Sequence, residues 1–199
     1  MKQDEHRRKL IDGTIHVIAQ YGLDRATTKQ IGIVTNTNEA YIYRCFKDKE
    51  DMFAKVFQVL DDELVTKTSH HISVMYMQEI DYETRCRFYF SAIWKFLIDN
   101  REKCLAYVRY YYSPYFQTYS VEDHKKRFAP LVEKFRDAFK EEADVWMILN
   151  HILNVMLDFA IKVHNNQMPH EDNYAEHVFR VIYRSIEQYF RKEEVKNNE

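Results

Sequence analysis

The chain is poor in backbone breakers, with three glycines and three prolines in 199 residues. It also lacks strand-like runs of alternating β-branched residues, and the two absences together exclude a β-rich fold. Three glycines cannot build a Gly-rich phosphate loop, and neither a P-loop nor GxGxxG nor GxSxG occurs. The cysteines, Cys45, Cys86 and Cys104, are scattered and odd in number. They offer no CxxC pair and no disulfide framework, which points to a reducing, cytoplasmic setting. No apolar run reaches about 18 residues without a charge, so no membrane span is expected. The opening Met-Lys-Gln-Asp-Glu-His-Arg-Arg lacks the apolar core of a signal peptide. Nine histidines are present, but the nearest to a pattern, His70-His71 and His170 with His177, have no cysteine or carboxylate set in range. No metal, no cofactor and no enzymatic constellation is expected.

Charge of one sign is missing too. The formal net charge is -2, which excludes a chain that grips polyanions by bulk charge. Residues 1–52 carry nine Lys+Arg against eight Asp+Glu. Any DNA binding must therefore come from where the charges sit.

What remains is 46% hydrophobic and 30% charged, a globular composition, and the spacing is helical throughout. A first helix over about 4–21 carries Leu10, Thr14, Val17, Ile18 and Tyr21 on one stripe and stops at Gly22. Gly13 inside it weakens the helix by up to about 1 kcal/mol relative to Ala, which close approach of another helix would offset. Thr27-x-x-Gln30 is a capping box that starts a short second helix, with Ile31 and Val34 inward. Asn36 suits the left-handed backbone of a tight turn. Asn38 caps a third helix ending near Phe46, with Ile42, Cys45 and Phe46 inward. Glu39, Ala40, Tyr43 and Arg44 then face out, with Tyr41 at the boundary. Asp48 caps a long fourth helix, to about residue 72, with Phe53, Val56, Phe57, Leu60 and Leu64 on its buried side. Further helices are expected near 81–99, 101–112, 121–141, 144–165 and 172–192. Pro130 either kinks the helix over 121–141 or starts a helix there.

Residues 22–49 are thus two short capped helices, a tight connection and the capped start of another. The plain interpretation is a piece of a three-helix bundle. The functional one is a helix-turn-helix DNA reader. Glu39 is suited to accept from a cytosine amino group, and Arg44 to reach guanine or phosphate. Thr28 and Lys49 begin helices, where main-chain N–H groups and a side-chain donor together hold a phosphate oxygen. Tyr43 offers its hydroxyl to the backbone.

Over about residues 8–57 the chain resembles the N-terminal domain of TetR-family transcriptional regulators. The resemblance rests on Gly22, Thr27-Thr28-Lys29-Gln30-Ile31-Gly32, Tyr41-Ile42-Tyr43-Arg44-Cys45-Phe46 and Lys49. It implies phosphate contacts by Thr28, Tyr43 and Lys49, and base reading by positions 39, 40, 41 and 44, here Glu39, Ala40, Tyr41 and Arg44. The chain departs from the pattern at Asn36, Thr37, Tyr41 and Cys45. Asn36 and Thr37 still suit the turn, Tyr41 is bulky next to the bases, and Cys45 lacks a phosphate donor. The resemblance implies an all-α protein of about nine helices: a three-helix DNA-binding domain over 1–50, then a helical effector-binding and dimerisation domain over 51–199. It further implies a repressor released from its operator by a small molecule. The alternative is a helical protein- or lipid-interaction module that keeps the fold without reading DNA.

The C-terminal part has no motif that transfers. Its many aromatics are either ordinary core or the wall of an effector cavity, and Trp94, Tyr107, Tyr111 and Phe128 are the positions assigned to such a wall. Residues 144–165 are apolar nearly all round except for Asn150, Asn154, Asp158 and Lys162 at four-residue intervals. That polar line is either a solvent edge with an Asp158–Lys162 pair or, at Asn154 and Asp158, a ligand contact. Surplus apolar surface on the last two helices suggests a homodimer through a four-helix bundle, with Leu153, Val178, Ile182, Ile186 and Tyr189 at its interface. A two-fold dimer presents two recognition helices to successive major grooves, so the operator is expected to be near-palindromic.

Overall fold

A computed structural model describes residues 2–191. Ten α-helices run through them, with no strand among the described residues: α1 Lys2–Tyr21, α2 Thr28–Thr35, α3 Glu39–Cys45, α4 Lys49–His71, α5 Tyr82–Asp99, α6 Arg101–Tyr111, α7 Pro114–Tyr119, α8 Val121–Phe135, α9 Val145–His164 and α10 Asp172–Ile186. The helix beyond the expected nine is α7. Pro114 does end the preceding helix, but its fixed φ and missing N–H also suit the first turn of a new one. Pro130 lies inside α8, which ends at Phe135 in a 3-10 turn rather than running to 141.

Caps fix the N-terminal unit. Gly22 leaves α1 at φ 83. Thr27 accepts from the Gln30 N–H at 3.1 Å, and Asn38 from the Ala40 N–H at 2.9 Å. Asn36 closes α2 in the left-handed region at φ 48, and the Thr37 N–H returns to the Gly32 carbonyl at 2.8 Å. Asp48 and Asp51 cap reciprocally: Asp48 accepts from the Asp51 N–H at 2.7 Å, and Asp51 accepts from the Lys47 N–H at 3.0 Å. Gly13 is where α2 touches α1, because a Cβ there would lie 2.1 Å from Thr35 Cγ2. That contact turns α2 so that Thr28, Ile31, Gly32 and Thr35 form its buried stripe, and Val34, expected inside, is exposed. Tyr21 likewise falls outside the core.

A single hydrophobic cluster runs from Leu10 on α1 to Ile186 on α10. The helix α4 carries it between the two ends through Met52, Phe53, Val56, Phe57, Leu60 and Leu64. Helix α1 is pinned to α6 by polar contacts: His16 Nδ1 lies 2.9 Å from Glu102, and Arg109 donates to the Ile18 carbonyl at 2.5 Å.

By length and composition α9 is apolar enough to cross a membrane, with Asp158 and Lys162 as its charged residues. Here it is a core helix of the C-terminal half. It packs against α5, α6, α8 and α10 and buries Val145, Ile148, Leu153, Met156, Leu157, Ala160 and Val163.

Candidate nucleic-acid interface and effector cavity

The helix α3 is anchored by Ile42 and Phe46, both nearly inaccessible, and Cys45 packs at the edge of the core. Glu39, Ala40, Tyr43 and Arg44 are turned outward, with Tyr43 54% exposed. Tyr41, the bulky departure, leans back: its ring centroid is 5.5 Å from that of His6 on α1, and the Arg44 guanidinium sits 5.7 Å from its centre. Lys49 begins α4 with its ammonium 5.4 Å from the Phe53 ring centre, so the stem packs inward while the head stays partly accessible. Thr28 is largely buried, and its hydroxyl donates to the Glu39 carboxylate. Two groups assigned to different parts of DNA therefore satisfy each other across α2 and α3.

An apolar space of about 100 Å³ lies elsewhere in the chain, lined chiefly by α5, α8, α9 and α10. Tyr82, Cys86, Tyr89, Phe90 and Ile93 of α5 form one wall, and Phe179, Ile182, Tyr183 and Ile186 of α10 the facing one. Phe128, Leu131 and Phe135 come from α8, and Leu149, Ile152, Leu153 and Met156 from α9. The ring contacts Tyr82–Phe190 at 4.7 Å and Phe90–Phe179 at 5.5 Å show α5 and α10 running antiparallel along it. Burial pushes the Cys86 thiol up to about 12 and raises Tyr82, Tyr89 and Tyr183 above the ordinary tyrosine value.

Of the residues assigned to the cavity wall from sequence, only Phe128 lines this space. Trp94 stacks on Phe90 at 5.8 Å and borders a separate polar groove between α5 and α10. Tyr107 is consumed by a buried hydrogen bond to Asp61 at 3.1 Å. Tyr111 packs on Phe116 and reaches Asn150 at 3.4 Å. Asn154 accepts from Tyr112 at 3.3 Å on the outside, and Asp158 pairs with Lys162 at 2.6 Å, so the polar line is a solvent edge. Leu153, Val178, Ile182 and Ile186, expected at a dimer interface, are buried in the chain's own core, and Tyr189 is only partly exposed. Their helices do show apolar surface, but at other positions, Met147 and Val181, each more than half exposed. Near them His151 Nε2 lies 2.9 Å from Ser185 Oγ.

One cluster was missed from the sequence. Asp61 on α4 is fully buried and accepts from Tyr107, from His124 Nδ1 at 2.9 Å and from Arg127 at 2.9 Å. Arg127 also bridges to Asp62 at 2.9 Å. The His124 ring sits among aromatic neighbours and is 4.6 Å from Phe128, a cavity residue. The signal was present: Asp61 lies four residues after Phe57 and three before Leu64, on the apolar stripe of α4.

Residues 10–56 match the family described as bacterial regulatory proteins, tetR family. Curated proteins give no match. Among solved structures, a TetR family transcription regulator from Marinobacter aquaeolei VT8 aligns with a TM-score of 0.76 at 14% identity, covering 96% of this chain and all of that one. A putative tetR family transcription regulator from Shewanella sp. PV-4 gives 0.73 at 12%, covering 94% and 99%. The fatty acid degradation regulator FadR from Bacillus halodurans gives 0.66 at 17%, covering 88% and 96%. Residues 10–56 thus match the tetR family of bacterial regulatory proteins, and the chain shares its fold with solved TetR family transcription regulators.

Proposed function

We propose that the chain is a sequence-specific DNA-binding transcriptional regulator, acting in the cytoplasm as a homodimer and released from a near-palindromic operator by a small molecule. In this reading residues 1–50 engage DNA, and residues 51–199 bind the effector and dimerise. The observation that carries it is the division of α3 into two faces. Ile42 and Phe46 hold it to the core, while Ala40, Tyr43 and Arg44 stand outward beside the start of α4. Tyr41 leans against α1 and so leaves the front of α3 open to a groove. Tyr43, Lys49 and the first turn of α2 at Thr28 are assigned to phosphates. Ala40, Tyr41, Arg44 and Glu39 are assigned to bases, once Glu39 turns from the Thr28 hydroxyl. The dimer is assigned to the outward faces of α9 and α10, including Met147 and Val181.

Effector binding would act on DNA affinity through Phe128, His124 and Asp61, which connect the cavity wall to α4, the helix that Lys49 begins. By linkage, operator DNA then weakens effector binding by the same factor. Selection from random duplexes at fixed salt tests the reading, and enrichment of a near-palindrome is the expected result. Lys49→Ala should weaken binding to every sequence and lower the salt slope by about one. No enriched sequence at any salt sinks the proposal, and an unchanged slope removes Lys49 from the contacts.

A further inference from the structure

We propose that the cavity between α5, α8, α9 and α10 takes an uncharged, largely hydrocarbon molecule of about one ring in size, and rejects carboxylates of the same shape. The inference deepens the effector reading above and rests on it.

Size sets the first bound. A cavity of about 150 Å³ lined by Leu, Ile and Phe stays dry and takes benzene. This one, at about 100 Å³, is of the same order, and nine of its lining residues are Phe or Tyr. Ring faces and edges are good partners for a second ring, and a dry apolar pocket binds such a guest without losing hydrogen bonds to water.

Charge sets the second bound. No Lys, Arg, Asp, Glu or His lines the space. Its polar atoms are neutral at physiological pH, because burial holds the Cys86 thiol and the tyrosine hydroxyls protonated. The Thr68 hydroxyl is already turned to the Leu64 and Val65 carbonyls, each at 2.9 Å. Two cations stand near but are engaged. Arg85 donates to the Met75 carbonyl at 2.9 Å with its guanidinium against the Tyr82 ring, and Arg87 pairs with Glu83 and Glu176. A carboxylate brought in here would find no charged side chain on the wall and would lose its water, a cost far larger than ring packing returns. Tyr82 and Cys86 on the wall offer polar partners to a neutral hydroxyl or carbonyl of a guest.

The test is calorimetric titration of the full chain at pH 7 with benzyl alcohol and, separately, benzoate, which differ mainly in charge. Benzyl alcohol is expected to bind saturably and at least ten-fold more tightly than benzoate, and its binding to disappear in Leu153→Phe. If circular dichroism shows that variant unfolded, Cys86→Leu takes its place. Equal or tighter binding of benzoate overturns the neutral class while leaving an effector site in place. Binding that persists unchanged in the folded filled variant overturns the location. Absence of binding by both molecules overturns the cavity as a ligand site. In each case the random-duplex selection on unliganded protein reports separately on DNA reading.

Discussion

Replacing Asp61 with Ala tests how the two halves of the chain are joined. The carboxylate is wholly inaccessible and is the common acceptor for Tyr107 on α6 and for His124 and Arg127 on α8. Removing it strands three donors at once. A buried donor left without its partner costs about 1–3 kcal/mol, so Tyr107 and His124 together account for about 2–6 kcal/mol. Arg127 loses less, because its side chain is 17% exposed and its Nε still reaches Asp62. Breaking a buried ion pair from one side is typically worth about 3–5 kcal/mol. We expect a loss of about 4 kcal/mol, a large share of the roughly 5–15 kcal/mol of a folded domain. Asp61→Asn keeps the shape and one acceptor and should lose about half as much. Asp62→Ala, on the exposed partner, should cost under about 1 kcal/mol. Urea unfolding at pH 7, followed by circular dichroism, measures all three. A loss below about 1 kcal/mol for Asp61→Ala, with an unchanged denaturant slope, would show that the cluster does not hold α4 to α6 and α8.

Two further outcomes follow from local geometry. Gly13→Ala should destabilise by about 1–3 kcal/mol through overpacking against Thr35. Thr35→Ser removes the methyl it meets, so the double variant should recover most of the loss in a thermodynamic cycle, and purely additive effects would deny the contact. Burial first of all lowers the His164 pKa from its ordinary 6.5, only partly opposed by a hydrogen bond with the Leu97 carbonyl. The unfolded chain then takes up this proton before the folded one does. The contribution of His164 is therefore intact above about pH 6.5 and shrinks as the pH falls through that value. The urea midpoint of His164→Gln should fall less than that of the parent between pH 8 and pH 5.5, and parallel curves would exclude this source of acid sensitivity.

The N-terminal unit was legible because its determinants are local. Thr27, Asn38 and Asp48 cap helices within three residues of themselves, and Asn36 takes its left-handed turn, so helix starts and ends follow from side-chain chemistry. Val34 was misplaced because the facing of an eight-residue helix is decided by one distant contact, Thr35 on Gly13, rather than by its own pattern. The C-terminal half has almost no such punctuation. Trp94, Tyr107 and Tyr111 have the composition of a pocket wall, but which aromatic meets a void depends on how α5, α8, α9 and α10 cross. Leu153, Val178, Ile182 and Ile186 show the same limit: an apolar stripe says that a face is covered and leaves open whether its own chain or a second copy covers it.

The unbroken apolar cluster from Leu10 to Ile186, with α1 fastened to α6, has a consequence for how the protein melts. The boundary proposed at residue 50 would divide roles, not folding units. The helices α1 to α3 rest on Met52, Phe53 and Val56 of a helix whose other end belongs to the cavity half, so heat should dissolve both together in one cooperative step. A guest held far from α3 would then protect the N-terminal helices from unfolding by mass action alone, even where it leaves their shape untouched.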